Sequence, residues 1–267
     1  LNYYSEIDGA QEPTASPATG SAVITVDTVT NALAYTITFS GLVGTENNAH
    51  IHGPADPGVQ GGIKHALPLG SPKVGTWFYM EADEAAILGG RMYINIHSTS
   101  FPNGEIRGQI CPAPIEFCHC DTASGPPCGN DDFDSGCRNA SGVGADLSYS
   151  GLPSVILDTL TLTSTNVTPN QNGLFFMGPN QAAGTPFGDG LRCASGALFR
   201  YTPPQNSGAG GVMTLGPGIV ARSQLFAMSG RINSGETWNF QCWYRDPMGP
   251  CGGGFNVSEA MSALFTP

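Results

Sequence analysis

His50 and His52 stand two positions apart in AHIHGPA (49–55). On an extended strand both side chains leave the same face, about 7 Å apart. Such a pair can offer two imidazoles to one Cu²⁺ or Zn²⁺ ion. A third histidine, His97, shares a strand face with Tyr93 and Asn95 in MYINIHS (92–98), while Ile94 and Ile96 take the other face. In GEIRGQI (104–110), Glu105, Arg107 and Gln109 fall on one face. The segment between them, TSFPNG (99–104), carries a hairpin signal and makes the two polar rows neighbours. With the His50/His52 strand alongside, His50, His52, Asn95, His97, Glu105 and Arg107 form one polar cluster.

That cluster has two readings. In the first it is a structural network, with Arg107 paired to Glu105 and the histidines bonded to carbonyls. In the second the three imidazoles hold Cu²⁺ or Zn²⁺, with the carboxylate as a ligand or behind one. A fixed Arg107 cation repels a divalent ion and favours the first. His65 and His119 stand apart. A second candidate is Asp131, Asp132 and Asp134, which with Asn130 precede Gly136 and are the raw material of a Ca²⁺ loop. No Glu follows at EF-hand spacing, so the alternative is a solvated acidic turn between Cys128 and Cys137. The chain has no GxSxG elbow, P-loop or dinucleotide fingerprint, and its two lysines, Lys64 and Lys73, form no SxxK. Beyond a possible metal, nothing points to catalysis.

The elements that must position these residues read as strands. SAVITVDT (21–28) and AYTITFSGL (34–42) alternate with period two, and 48–53, 74–80, 91–98 and 104–110 are further strands. EADEAAILGG (81–90) is the one helical segment, with acids in its first turn and glycines at its end. The 267 residues suggest two domains, and 37 Gly with 21 Pro favour short strands and turns. A net charge of −11 argues against nucleic acid or an anionic membrane as partner. No apolar run is long enough to span a membrane. Eight cysteines, Cys111, Cys118, Cys120, Cys128, Cys137, Cys193, Cys242 and Cys251, avoid the first 110 residues and lack zinc spacing. Four disulfides in an oxidising compartment are expected, one pairing to test being Cys193 with Cys242. The chain is therefore expected to be secreted or displayed at the cell surface, with its signal peptide already removed.

Two segments, AHIHGPADPGVQGG (49–62) and GGRMYINIHSTSFPNGEIRGQI (89–110), together with EIDGAQEPTASPATGSAVITVD (6–27), resemble the signature of the CHRD domain, the chordin-type module. The resemblance spans residues 1–111. It implies an extracellular β fold similar in outline to Cu,Zn superoxide dismutase, and no reaction. The dismutase needs a bridging His and more ligands, which are not found here at matching spacings.

In the second half, NGLFFMG (172–178), LRC (191–193), QCWYRDP (241–247) and FNVSEAM (255–261) resemble a C-terminal domain of exported planctomycete-like and myxobacteria-like bacterial proteins. That resemblance implies a β-sandwich. The expected fold is therefore all-β, with two β-sandwich or Greek-key domains: a CHRD-like barrel over 1–111, a Cys-rich connector over 112–137, and a disulfide-stabilised sandwich over 138–267. Trp238, Trp243 and Tyr244 could face a ligand, although core packing is the expectation. Sequons stand at Asn139, Asn166 and Asn256. The first functional expectation is a non-catalytic extracellular structural or interaction protein. It would self-associate or bind other extracellular proteins or polysaccharide, with LNYYSEID (1–8) as a free sheet edge. The alternatives are a copper or zinc protein using His50, His52 and His97, and a carbohydrate-binding protein.

Overall fold

The computed structural model describes residues 1–121 and 125–267; three connector positions, 122–124, lie outside the described residues. The chain divides into two compact units, both dominated by strands. Unit 1 comprises 1–113, 152–157 and 266–267, and unit 2 comprises 114–151 and 158–265.

Unit 1 contains β1 (Asn2–Asp8), β2 (Thr19–Asp27), β3 (Ala32–Ser40), β4 (Glu46–His52), β5 (Ile63–Ala66), β6 (Lys73–Phe78), α1 (Glu81–Leu88), β7 (Met92–Ser98) and β8 (Ile106–Pro112). The strands form one antiparallel sheet in the order β5-β4-β7-β8-β1-β2-β3-β6, nearly closed into a barrel. The period-two pattern dictates the closure. Ile24, Val26, Leu33, Ile37, Ile51, Ile94, Ile96 and Ile106 all point into a single core, capped by Ile87 of α1. Gly108 is required where β8 passes β1, because a Cβ there would lie 2.3 Å from Ser5 Oγ and 2.5 Å from the Glu6 carbonyl. The end strands β5 and β6 approach through side chains. His65 stacks on Trp77 with ring centroids 5.9 Å apart, and its Nε2 lies 3.3 Å from Tyr35 Oη.

One expectation is corrected here. LNYYSEID is not a free edge, because β1 lies inside the sheet, paired to β2 along its whole length and to β8. Tyr3 and Ile7 of β1 alternate into the core, and both of its hydrogen-bonding edges are taken by β2 and β8. Lys73 is fully buried; it pairs with Glu46 and donates to the carbonyls of Pro68 (2.7 Å) and Gly70 (3.0 Å).

Unit 2 contains β9 (Ile115–Phe117), β10 (Asp146–Ser150), β11 (Thr161–Thr165), β12 (Asn172–Gly178), β13 (Asn180–Phe187), β14 (Gly190–Ser195), β15 (Phe199–Arg200), β16 (Gln205–Asn206), β17 (Met213–Leu215), α2 (Ile219–Ser223), β18 (Thr237–Asp246), β19 (Gly254–Val257) and β20 (Ala260–Leu264). Its largest sheet runs β15-β12-β18-β20-β9, with β16 on β12 and β19 on β18. A three-stranded sheet, β10-β11-β17, and the hairpin β13-β14 complete it.

All the disulfides fall in this unit: Cys118–Cys193, Cys120–Cys137 and Cys128–Cys251. The expected fourth bridge is absent, and Cys193 pairs with Cys118 rather than Cys242. Cys111 and Cys242 are buried free thiols. Cys242 Sγ lies 3.7 Å from Met213 Sδ, and Cys111 Sγ lies 3.4 Å from Thr266 Oγ1. Each sits where an apolar residue would, and burial pushes both thiols up to about 12. In the denatured, unreduced protein a thiol reagent should therefore titrate two cysteines per chain, and none in the native state. Four native disulfides would give zero in both.

One buried acid holds part of unit 2 together. Glu259, wholly buried, accepts the Gly136 N–H at 3.0 Å and the Leu147 N–H. Burial pushes its carboxyl up to about 8, from an ordinary 4.5, and the two N–H donors only partly oppose this. Between those values the folded chain keeps a proton that the unfolded chain has released. Stability should therefore fall as pH rises from about 4.5 to about 8, at up to about 1.4 kcal/mol per pH unit. Urea denaturation across that range should show the slope, and Glu259→Gln should flatten it.

Candidate metal centre

The register places the polar residues in two cross-strand rows on the outer face of the unit 1 sheet. His50 pairs with Asn95 and Asn95 with Arg107; His52 pairs with Tyr93 and Tyr93 with Gln109. His97 opposes Asn48 and so lies diagonal to His50. The isoleucines between these residues fill the core, so the face of each polar residue is set by alternation alone.

Half of this surface is a lock. Arg107 Nη1 donates to the Val59 carbonyl (2.8 Å), and Nη2 donates to the Asp56 carbonyl (3.2 Å) and to Gln109 Oε1 (3.3 Å). Its guanidinium lies 3.5 Å from the centroid of the Tyr93 ring. Gln109 Nε2 donates to the carbonyls of Ala55 and Gly90, both at 2.9 Å, and Tyr93 Oη accepts the Gly61 N–H at 3.0 Å. These side chains fasten the loop 53–62 over the sheet.

The expected Arg107–Glu105 pair does not form. Glu105 is wholly buried and instead accepts Ser16 Oγ–H at 2.7 Å and the Val43 N–H at 2.6 Å. Burial pushes its carboxyl up, but the hydrogen bonds from Ser98, Ser16 and the Val43 and Gly44 N–H groups outweigh that and hold it below the usual carboxylate range. The segments 14–16 and 43–44 lie close enough to satisfy it, and their proximity comes from the barrel rather than from nearby sequence.

The other half has the attributes of a ligand set. One nitrogen from each of His50, His52 and His97 lies within 4.8 Å of the others. The Nδ1 atoms of His52 and His97 lie 3.0 Å from the carbonyls of Gly61 and Pro102, and donate to them. Those bonds fix the tautomer and leave each Nε2 as an acceptor. Both Nε2 atoms and His50 Nδ1 are buried without a hydrogen-bond partner. Burial, then the neighbouring rings, pushes His50 below the ordinary histidine value. His52 is pushed down by burial too, and by His97 and Arg107, against the Gly61 bond. Neutral imidazole is the form a metal requires.

Arg107 therefore acts otherwise than its charge suggested. Its guanidinium is turned to loop carbonyls and the Tyr93 ring, and its field helps keep His52 uncharged. The 4.8 Å spread is wider than the roughly 3.3 Å between nitrogens of a tetrahedral site with bonds near 2 Å.

Glu12 is a neighbour that sequence reasoning missed. Burial pushes its carboxyl up, with the Arg107 guanidinium, the Asn95 amide and the His97 ring drawing it back down. Gly104, at φ +130°, makes room for it: a Cβ there would lie 2.8 Å from Glu12 Oε1 and 2.6 Å from Asn95 Oδ1. The signal for Glu12 was slight, a lone acid in a turn-rich segment. His65 lies away from the cluster on β5, and His119 on the connector.

The acidic turn is not brought together in the same way. Asp132 Oδ2 accepts the Gly144 N–H at 3.0 Å, and the three histidines are the one group of potential metal ligands among the described residues. Asp131, Asp132 and Asp134 thus form no close-set trio of ligand side chains comparable to the histidines. The aromatic face also dissolves, since Trp238 and Tyr244 are core residues and only Trp243 is partly exposed. Of the sequons, Asn139 and Asn256 are buried and donate to backbone carbonyls.

The fold and site define an all-β protein with a disulfide-bearing second unit and a histidine-lined outer sheet in the first. Residues 3–110, which carry the strands of unit 1, match the family model of the CHRD domain. No curated protein and no solved structure matches the chain.

Arg107→Met should destabilise unit 1 by about 3 kcal/mol, because the bonds that tie the loop to the sheet and the packing on Tyr93 are lost. Arg91→Met, which removes a half-exposed pair with Asp56, should cost under about 1 kcal/mol. Chemical denaturation of both variants checks the contrast; equal losses would show that Arg107 is no more than a surface cation.

Proposed function

We propose that the CHRD unit binds one divalent transition-metal ion, Cu²⁺ or Zn²⁺, through His50, His52 and His97, in a protein that works outside the cell. The observation that carries this reading is the trio of buried imidazole nitrogens without partners, two of them aimed by carbonyls on the opposite side of the ring. A purely structural histidine network would use those nitrogens, since an unsatisfied buried acceptor costs about 1–3 kcal/mol. Three imidazoles leave a tetrahedral ion one open position, which suits exchange, transport or reaction of a small ligand. The half-buried Glu12 carboxylate, which the His97 ring draws down, adds negative charge nearby.

The extracellular setting is supported by the three disulfides and the CHRD domain. A role in assembly by strand addition has less support, because the edge it relied on is an interior strand.

Elemental analysis of protein purified without chelator, followed by calorimetric titration of chelated protein, tests the reading. One equivalent of Cu²⁺ or Zn²⁺ per chain is expected. His50→Ala/His52→Ala should abolish binding, His97→Ala should weaken it at least tenfold, and His65→Ala should leave it unchanged. Absence of stoichiometric metal, or full binding by the double variant, removes the proposal.

A further inference from the structure

Unit 2 contains a cavity of about 400 Å³ that the metal reading does not use. Its floor is Leu174 and Phe176 of β12, with Trp243 of β18 directly opposite Leu174. One wall is an aromatic chain. Trp243 and Phe255 have ring centroids 5.8 Å apart, and Phe255 meets Phe187 edge to face at 4.8 Å. Its polar groups are of one kind, the guanidinium groups of Arg192 and Arg200.

Neither arginine has an acidic partner among the described residues, where the ion pairs are those of Lys64, Lys73 and Arg91. Arg192 lies with its guanidinium carbon 5.7 Å from the Phe187 ring centroid, and its Nε is buried without a hydrogen-bond partner. A buried donor left unmatched is costly. A guanidinium on an apolar cavity is suited to a carboxylate, which it can grip in two parallel hydrogen bonds.

The position of Arg192 is also held firmly. The next residue, Cys193, is bridged to Cys118. Gln241 Oε1 accepts the N–H groups of Cys193 (2.7 Å) and Ala194 (2.9 Å). The strand that presents Arg192 is therefore fixed before any ligand arrives, which lowers the ordering cost of binding.

We infer that this cavity is a binding site for a small organic anion, a carboxylate carried on an aromatic or branched apolar body. The apolar body lies against Trp243, Phe255 and Leu174, and the carboxylate meets Arg192, with Arg200 at the mouth. The overall charge of −11 does not forbid this, because screening confines distant charges to about 8 Å at physiological salt while the two arginines act at contact. A neutral sugar fits less well, since the lining supplies cationic donors and no carboxylate or amide side chain to accept from hydroxyls. The same chemistry occurs in free aromatic acids and at the C-terminus of a peptide ending in an aromatic residue.

The test is calorimetry and tryptophan fluorescence on the full, oxidised chain. The probes are 1-naphthoate, its neutral analogue 1-naphthalenemethanol, N-acetyl-phenylalanine and N-acetyl-phenylalaninamide. Naphthoate should bind at least tenfold more tightly than the alcohol. Arg192→Gln should lose at least tenfold. Arg200→Gln, at an exposed position that does not endanger folding, should lose a smaller factor with an unchanged Tm. Binding of N-acetyl-phenylalanine but not its amide assigns the anion to a peptide C-terminus, and binding of naphthoate alone assigns it to a free acid. Equal affinity for acid and alcohol, no binding of either acid at millimolar concentration, or naphthoate affinity untouched in both arginine variants overturns the inference.

Discussion

The guanidinium of Arg107 has more resting on it than any other side chain of the first unit. It is the largest fully buried side chain of the protein, yet it points out of the barrel rather than into it. A cation removed from water in this way is costly unless most of its donors are matched. Here the matching groups are the carbonyls of Val59 and Asp56, the Gln109 amide and the face of Tyr93. Through those contacts one side chain of β8 fixes a loop that follows β4. That loop supplies the Gly61 carbonyl which orients His52. The histidine geometry therefore depends on a residue that contacts no ligand.

The two readings of the polar cluster draw on different atoms. Structure and metal binding do not compete for the same atoms. The Nη groups of Arg107, the Gln109 amide and the Tyr93 hydroxyl bond to the loop or to each other, whereas His50, His52 and His97 each keep one nitrogen unused.

The two units are stabilised by different means. Unit 1 has a continuous aliphatic core, a buried Lys73–Glu46 pair and no disulfide. In unit 2 one core cluster is built around bridged cysteines, Cys120, Cys137 and Cys193, beside Leu191 and Ala260. Closing long loops with disulfides limits the entropy of the unfolded chain, which suits a unit of many short strands. The same bridges hold β14, and with it Arg192, in place. The buried Glu259 shows the opposite tendency: a carboxyl that bridges two backbone segments only at the cost of a strongly raised affinity for its proton.

What the sequence alone determined is local and periodic. Alternation along 21–28, 34–42, 91–98 and 104–110 specified strands and their inward faces, and acidic start with glycine stop marked α1 within two residues. The same alternation put His50 and His52 on one face and Tyr93, Asn95 and His97 on another, because side-chain direction in a strand depends only on parity. The hairpin signal at 99–104 then made the neighbouring rows credible. Everything that required distant segments to meet was decided by the tertiary structure. The sequence could not show that β1 enters between β2 and β8, that Glu105 is claimed by Ser16 and Val43, or that Glu12 comes to rest over Gly104. Nor could it pair the cysteines, since even spacing carries no distance information and two of the eight are packed as apolar residues. Hydrogen bonding and burial across a closed sheet are properties of neighbours in space, and the chain records only neighbours in order.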